Sequence, residues 1–281
     1  MKLIFSRKGF DSGSGGCASA ILPDGSLVSL PIPDGRSLTR YGAIDGPTGQ
    51  LVEDLTNGRY QKRHPAHLDP DLEHGSIPRT EGWRGALGQT SAAASHLKSQ
   101  GVTVGDVFLF FGWFRDVDLK DGKYRFASKG RNIHALFGWL QIGEVIDLSS
   151  GDRQSWQNHP WLATHPHVRR GREAGNTIYV ASEQLVIGDT AFGPGWGRVS
   201  VLEPRHILTR DNAPGRSAWS LPSWMHPDQG SALSYHLDAA RWGHAEAMAT
   251  LNIVGRGQEF VLTCNNQAAM KDYLTHLIGE R

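Results

Sequence analysis

Apolar residues along this chain come in short bursts separated by turn formers, a pattern that predicts many brief strands and few helices. Leu3, Ile4 and Phe5 predict a buried strand over 2–5, followed by a Gly/Ser loop from Gly9 to Gly16. A second strand is expected over 26–32, ended by Pro31 and Pro33. The strongest buried-strand signals are 106–114 and 133–142, the latter resuming over 145–148 after a break at Gly143, with Asp121-Gly122 as a turn between them. Further strands are expected over 177–180, 184–187, 198–202 and 256–263. Helical spacing occurs over 86–100, where Leu87, Ala93, Ala94 and Leu97 share a side before Gly101, and again over 237–251 and 267–278. Residues 34–84 are aperiodic, and so long an irregular stretch is seldom idle in a compact domain.

These elements describe an α+β fold: a mixed, largely antiparallel sheet or partly closed β-barrel with a few flanking helices and many loops. Repeats, linkers and low-complexity tracts are absent, so the 281 residues read as one unit. Within it, 1–100 is loop-rich, 101–205 barrel-like, and 206–281 an α/β part packed on the rest. The 34 glycines and 9 tryptophans fit strands and loops around a pocket, or simply a loop-rich fold.

Charge narrows the partners. Lys and Arg number 29 against 28 Asp and Glu, whereas proteins that wrap duplex nucleic acid usually carry a basic excess. Contact with nucleic acid is therefore expected to be local, one nucleotide or a short single strand. Cys17 and Cys264 are too few for a disulfide framework and suit a reducing compartment. The opening residues lack the apolar stretch of an export signal, and no run approaches the ~20 apolar residues of a membrane span. The expected compartment is the cytoplasm, with no membrane partner. Oligomeric state is not legible.

Two predicted strands carry Phe-Gly-Trp, at Phe111-Gly112-Trp113 and Phe137-Gly138-Trp139. Glycine inside an apolar strand often marks a bulge or the close approach of a ligand or another chain segment. Trp113 and Trp139 can then stack on a flat ring, base–aromatic stacking being worth ~1–3 kcal/mol, or serve as core aromatics. The order Val104-Gly105-Asp106, strand, then Gly138 through Val145 is similar to the small β-barrels of the PUA, ASCH and EVE kind, which hold RNA or flipped, modified bases.

A wider set of landmarks resembles the nucleotide modification associated domain family, type 3. Its segments are Phe5 to Ser12, Leu30 to Pro33, His67 to Leu72, Gly88-Gln89, Gly105-Asp106 through Trp113, and Phe137 to Gln141. Ser217 to Pro222, Ser234 to His236 with Arg241-Trp242, and Arg256 to Phe260 complete it. The resemblance implies a place in systems that make or handle hypermodified nucleobases in bacteria and their phages. It leaves the reaction unnamed.

Candidate chemistry follows the same landmarks. Arg7, Lys8 and Asp11 enter the Gly loop, whose backbone N–H groups can cradle a phosphate beside the two cations, although the spacing is not that of a Walker loop. Asp69-Pro70-Asp71 offers two carboxylates for Mg²⁺ or for general base work, or is an Asp-Pro turn with solvated acids. His236 is the acid/base candidate of the C-terminal third, in a patch with Ser234, Tyr235, Arg241 and Trp242. Arg256 can clamp an anion and Gln258 can read a base edge, while Glu259 takes the other strand face as a catalytic candidate or as a partner to Arg256. Gln89 and Gln141, within the resembling segments, join Arg7, Lys8, Trp113, Trp139, Arg241, Arg256 and Gln258 as substrate-binding candidates.

His165-Pro-His167 would place two imidazoles on one face of a strand. With 13 histidines chance pairs are expected and no carboxylate sits at a recognised spacing, so no metal site is assigned. Mg²⁺ remains the candidate cofactor of the Asp69/Asp71 pair. Cys17 reads as a small buried thiol. The leading reading is an enzyme, a transferase or relative, acting on a nucleobase or nucleotide in a hypermodification pathway. The alternatives are a non-catalytic reader of modified bases and a metal-dependent nuclease.

Overall fold

A computed structural model describes residues 1–255 and 257–278. In chain order its strands are β1 (Leu3–Arg7), β2 (Ser19–Ile21), β3 (Leu27–Val28), β4 (Ala86–Gln89), β5 (Val107–Lys120), β6 (Lys123–Phe126), β7 (Asn132–Asp147) and β8 (Thr177–Ala181). They continue with β9 (Gln184–Ile187), β10 (Thr190–Pro194), β11 (Trp196–Arg198), β12 (Ala218–Pro222), β13 (Ala232–Leu233), β14 (Trp242–Ala245), β15 (Met248–Asn252) and β16 (Glu259–Thr263). The helices are α1 (Thr48–Leu55), α2 (Ser91–Ser99), α3 (Pro166–Arg169) and α4 (Gln267–Ile278).

The fold is mixed α+β around one large sheet of order β13-β16-β1-β5-β7-β8-β4, with β2, β3, β6 and β11 pairing alongside. Pairing is antiparallel except where β1 and β2 run parallel to β5. The continuous apolar run of β5 reflects burial on both faces. Val107, Leu109 and Phe111 point into one core with Leu3, Phe5, Trp219 and the α4 residues Met270, Leu274 and Leu277. Phe108, Phe110 and Phe114 point into the other, with Ile4, Leu87, Leu97 and Tyr179. At ~1.5–3 kcal/mol for each such side chain taken out of water, this double burial pins the centre of the sheet. Strands buried on both faces lose polar alternation, which is why 106–114 reads as unbroken hydrophobicity.

Among the described residues the sheet stays open and forms no closed barrel. The Phe-Gly-Trp glycines mark approaches of other chain segments. A Cβ at Gly138 would sit 2.5 Å from Leu72 Cδ1 and 2.8 Å from the Gly197 carbonyl oxygen, and one at Gly112 would sit 2.9 Å from the Lys8 carbonyl oxygen. β7 runs unbroken through Gly143, with register shifts against β5 and β8 absorbing the irregularity.

Several expectations need correction. The helix expected over 237–251 is instead a short 3-10 turn (Ala239–Arg241) followed by the hairpin of β14 and β15, which pairs with β12. Its apolar residues follow a period of two: Ala249 and Leu251 are buried, whereas Leu237 is 72% exposed. The helix expected over 86–100 divides into buried β4 and then α2, because β4 pairs with β8. Within 34–84, α1 buries Leu51, Val52 and Leu55 in a short amphipathic turn. The expected strand at 26–32 shrinks to β3, the one expected over 198–202 gives way to β11, which ends at Arg198, and the strand within 256–263 is β16. Among the described residues no helix is long and apolar enough to cross a membrane.

Candidate functional site

The site grows from the place where β1, β4 and β16 end together. Gln258 O accepts from the Arg7 backbone N–H at 2.7 Å, and Phe111 O accepts from that of Lys8 at 2.9 Å, so the end of β1 is clamped between β16 and β5. Arg7, Lys8, Asp11, Asp69, Gln89 and Gln258, drawn from distant segments, line one cavity of about 200 Å³. His67, His167, Gly88, Thr90 and Arg170 complete much of its wall. A second cavity of about 550 Å³ shares Arg7, Lys8 and Asp11 and adds Trp113, His134 and Arg216.

Lys8 Nζ lies 2.9 Å from Glu259 Oε1, with Lys8 10% and Glu259 1% exposed. Gln89 Nε2 donates to the same oxygen, while Glu259 Oε2 is buried without a hydrogen-bond partner among the described residues. Glu259 faces a further cavity of about 330 Å³ with His96 and Tyr235, and Gln89 and Gln258 line that cavity as well as the first. Arg7 packs its guanidinium over Phe111 and Phe260, and its terminal nitrogens donate to the carbonyls of Gly255 and Val254. Burial lowers its pKa, with Asp11 opposing that shift. Its hydrogen-bond acceptors are neutral, so its charge is available to an anion in the cavity.

The Gly loop is shaped around its own carboxylate. Asp11 Oδ1 accepts the backbone N–H groups of Gly13 at 2.8 Å and Ser14 at 2.6 Å, so two of the N–H groups expected to cradle phosphate point at Asp11 instead. Trp113 donates its indole N–H to Asn132 Oδ1 at 2.6 Å and carries the Arg216 guanidinium 4.1 Å from its ring centre.

Asp69 and Asp71 face different surroundings. Asp69 Oδ1 accepts the Gly88 N–H at 2.8 Å, and its Oδ2 lies 3.5 Å from Nε2 of both His67 and His167. Burial alone would raise its pKa, but the imidazoles of His167, His67 and His165 hold the carboxyl well below the usual range. Asp71 is bound by both terminal nitrogens of Arg79 at 2.6 and 2.5 Å, and burial raises it to about 6 against the pull of that guanidinium. The pair therefore does not present two oxygens to one Mg²⁺.

Other candidates stand apart from these cavities. His236 is fully buried between backbone groups: its Nδ1 lies 2.9 Å from Ser234 O and its Nε2 accepts the Val254 N–H at 3.1 Å. Burial lowers its pKa to about 4. Gln141 ties β7 to β9 by donating to Val186 O and accepting the Val186 N–H. Trp139 belongs to the apolar core, and Arg241 donates to Asn252 O on the hairpin. Arg256 lies outside the described residues.

Sequence reasoning missed His67 and His167 as partners of Asp69. The signal was present: His-x-Asp in the 67–69 segment and His-x-His over 165–167 both bear imidazoles. What was missing was the long-range packing that joins them. It also missed Gly88, where a Cβ would fall 2.1 Å from the His167 ring, so only glycine lets that imidazole lie against β4.

The site thus defines an α+β protein with a polar cavity at the ends of three strands. The chain matches the model of nucleotide modification associated domain 3 over residues 2–263, and it belongs to that family. No curated protein and no solved structure matches it.

Proposed function

We propose that this protein is an enzyme acting on a nucleobase or nucleotide in a DNA or nucleotide hypermodification pathway. One observation carries this reading: Arg7, Lys8, Asp11, Asp69, Gln89 and Gln258 line one cavity, and the first three of them also line the larger cavity beside Trp113. In this reading Trp113, backed by Arg216, offers the flat surface for a heterocycle, and Arg7 and Lys8, which line both cavities, would hold a phosphate. Gln89 and Gln258 supply amides that can pair with a base edge, and the unpartnered Glu259 Oε2 can accept a base N–H or a proton. Family membership supports the substrate class.

The test is nucleoside mass spectrometry of DNA from cells carrying the wild-type gene or a Gln258→Ala, Trp113→Ala variant, alongside nucleoside monophosphate binding to the purified protein. The expected result is a modified nucleoside that vanishes with the variant and monophosphate binding weakened at least tenfold. Identical profiles together with no nucleotide binding would overturn the proposal. A reader of modified bases would instead bind without changing the profile.

A further inference from the structure

His67 and His167, to which the function proposed above gives no role, line the same cavity as Lys8 and lie beside Asp69. We propose that His67 Nε2, His167 Nε2 and Asp69 Oδ2 bind one first-row divalent transition-metal ion, with its remaining coordination positions open to the cavity.

The distances suit such an ion. Metal–nitrogen and metal–oxygen bonds of about 2.0–2.2 Å place neighbouring ligand atoms roughly 3–3.5 Å apart at tetrahedral to octahedral angles. Both Nε2 atoms lie 3.5 Å from Asp69 Oδ2, and the three ligand atoms are all within 4.8 Å of one another.

Protons decide the rest. His67 Nδ1 lies 3.0 Å from Asp34 Oδ2, a carboxylate oxygen that can only accept, so Nδ1 carries a proton and in the neutral ring Nε2 presents the lone pair. Asn176 donates its amide N–H to His167 O at 2.9 Å, which turns Asn176 Oδ1 toward His167 Nδ1, also at 2.9 Å. His167 Nδ1 therefore carries its proton too, and its Nε2 is the second lone pair. Each ring is oriented by a hydrogen bond from its far nitrogen, as metal-binding histidines commonly are. Asp69 is prepared in the same way: the Gly88 N–H holds Oδ1, leaving Oδ2 to face the imidazoles.

Three acceptors converging in a buried corner repel one another unless a cation sits between them. A metal ion bound between them supplies that charge. His165 does not add a fourth ligand. Its Nδ1 accepts the His167 backbone N–H at 3.2 Å, which places the proton on Nε2, 3.7 Å from Asp69 Oδ1. It buttresses the carboxylate rather than the ion. Two imidazoles and one carboxylate favour a borderline transition metal over Mg²⁺ or Ca²⁺, which select oxygen ligands.

The experiment uses the full chain, stripped with EDTA and free of nucleotide, so it reads metal binding whatever the substrate proves to be. A His244→Ala background removes the more exposed His226–Asp228–His244 group. Titration with Co²⁺ followed by visible absorption, and Zn²⁺ retention measured by elemental analysis after dialysis, should give one equivalent that excess Mg²⁺ does not displace. His67→Ala or His167→Ala should weaken binding at least a hundredfold, and Asp34→Asn about ten- to a hundredfold. X-ray absorption of the Zn²⁺-loaded protein without those substitutions should show two imidazoles and light oxygen or nitrogen neighbours, a readout that needs no folded variant. Failure to retain one equivalent, retention unaffected by His67→Ala, or a spectrum without imidazole scattering would overturn the proposal.

Discussion

Asp69 and Asp71 are separated by one proline yet belong to regions with opposite character. Around Asp71 the polar groups are satisfied internally, by the two-point Arg79 contact and by Trp83 Nε1 at 3.4 Å. Around Asp69 and the neighbouring cavity they are left open: two imidazole nitrogens face a carboxylate oxygen, and Glu259 Oε2 has no hydrogen-bond partner among the described residues. A buried polar group without a partner costs stability, and Glu259 Oε2 and the Asp69 corner are where the proposed ligands would supply partners. The closed region should therefore answer to substitution through stability, and the open one through binding.

The strongest way to break this contrast is Arg79→Met, which strands the buried Asp71 carboxyl. It should cost about 3–5 kcal/mol in denaturant unfolding, as loss of one partner of a buried ion pair does, while leaving metal uptake at Asp69 in place. A cost under 1 kcal/mol would mean that Asp71 is not held as described. Lys8→Met tests the boundary between the regions. It should destabilise through Glu259, now buried without its cation, and a second change, Glu259→Gln, should recover much of that loss without restoring nucleotide binding.

Acid probes two buried rings, His236 between backbone groups and His134 bonded to the Trp219 indole N–H. Folding lowers these groups from the ordinary histidine value of 6.5 to about 4 and about 3, mainly by burial. The folded state needs both neutral, so the stability they allow is complete above pH 6.5 and is lost as pH falls, because the unfolded chain takes up the protons first. Unfolding free energy should drop by roughly 1.4 kcal/mol per pH unit for each such histidine between pH 6 and 4.5. A flat profile there would show that these rings are not sealed off. The smallest effect is expected from Trp113→Ala: about 1–3 kcal/mol of nucleotide affinity, with little change in melting temperature because the ring lies at the cavity surface. Loss of stability with unchanged affinity would move Trp113 into the core.

Legibility followed the range of the interactions concerned. The strands at 3–5, 106–114, 133–142, 177–180 and 184–187 and the closing helix over 267–278 could be read because burial writes itself into adjacent residues. The hairpin of β14 and β15 was misread as a helix because small residues such as Ala240 and Ala247 fit either period, and only pairing with β12 decides. At the site, Arg7, Lys8, Asp11, Asp69, Gln89 and Gln258 were legible as polar residues beside turns. His236 and Gln141 looked equally available, and only packing shows that backbone groups already occupy them.

Residue order alone indicated the fold class and the burial of the central strand, which depend on local pattern and apolar content, and its landmark segments pointed to the family by resemblance. Which side chains meet was decided in three dimensions. Asp69 needs His67 two residues away, His167 from α3, and Gly88 from β4, where the absence of a Cβ leaves room for a ring. No spacing rule encodes that meeting, because the charge on a carboxylate is governed by what the folded chain places within a few ångströms of it and by whether water still reaches it.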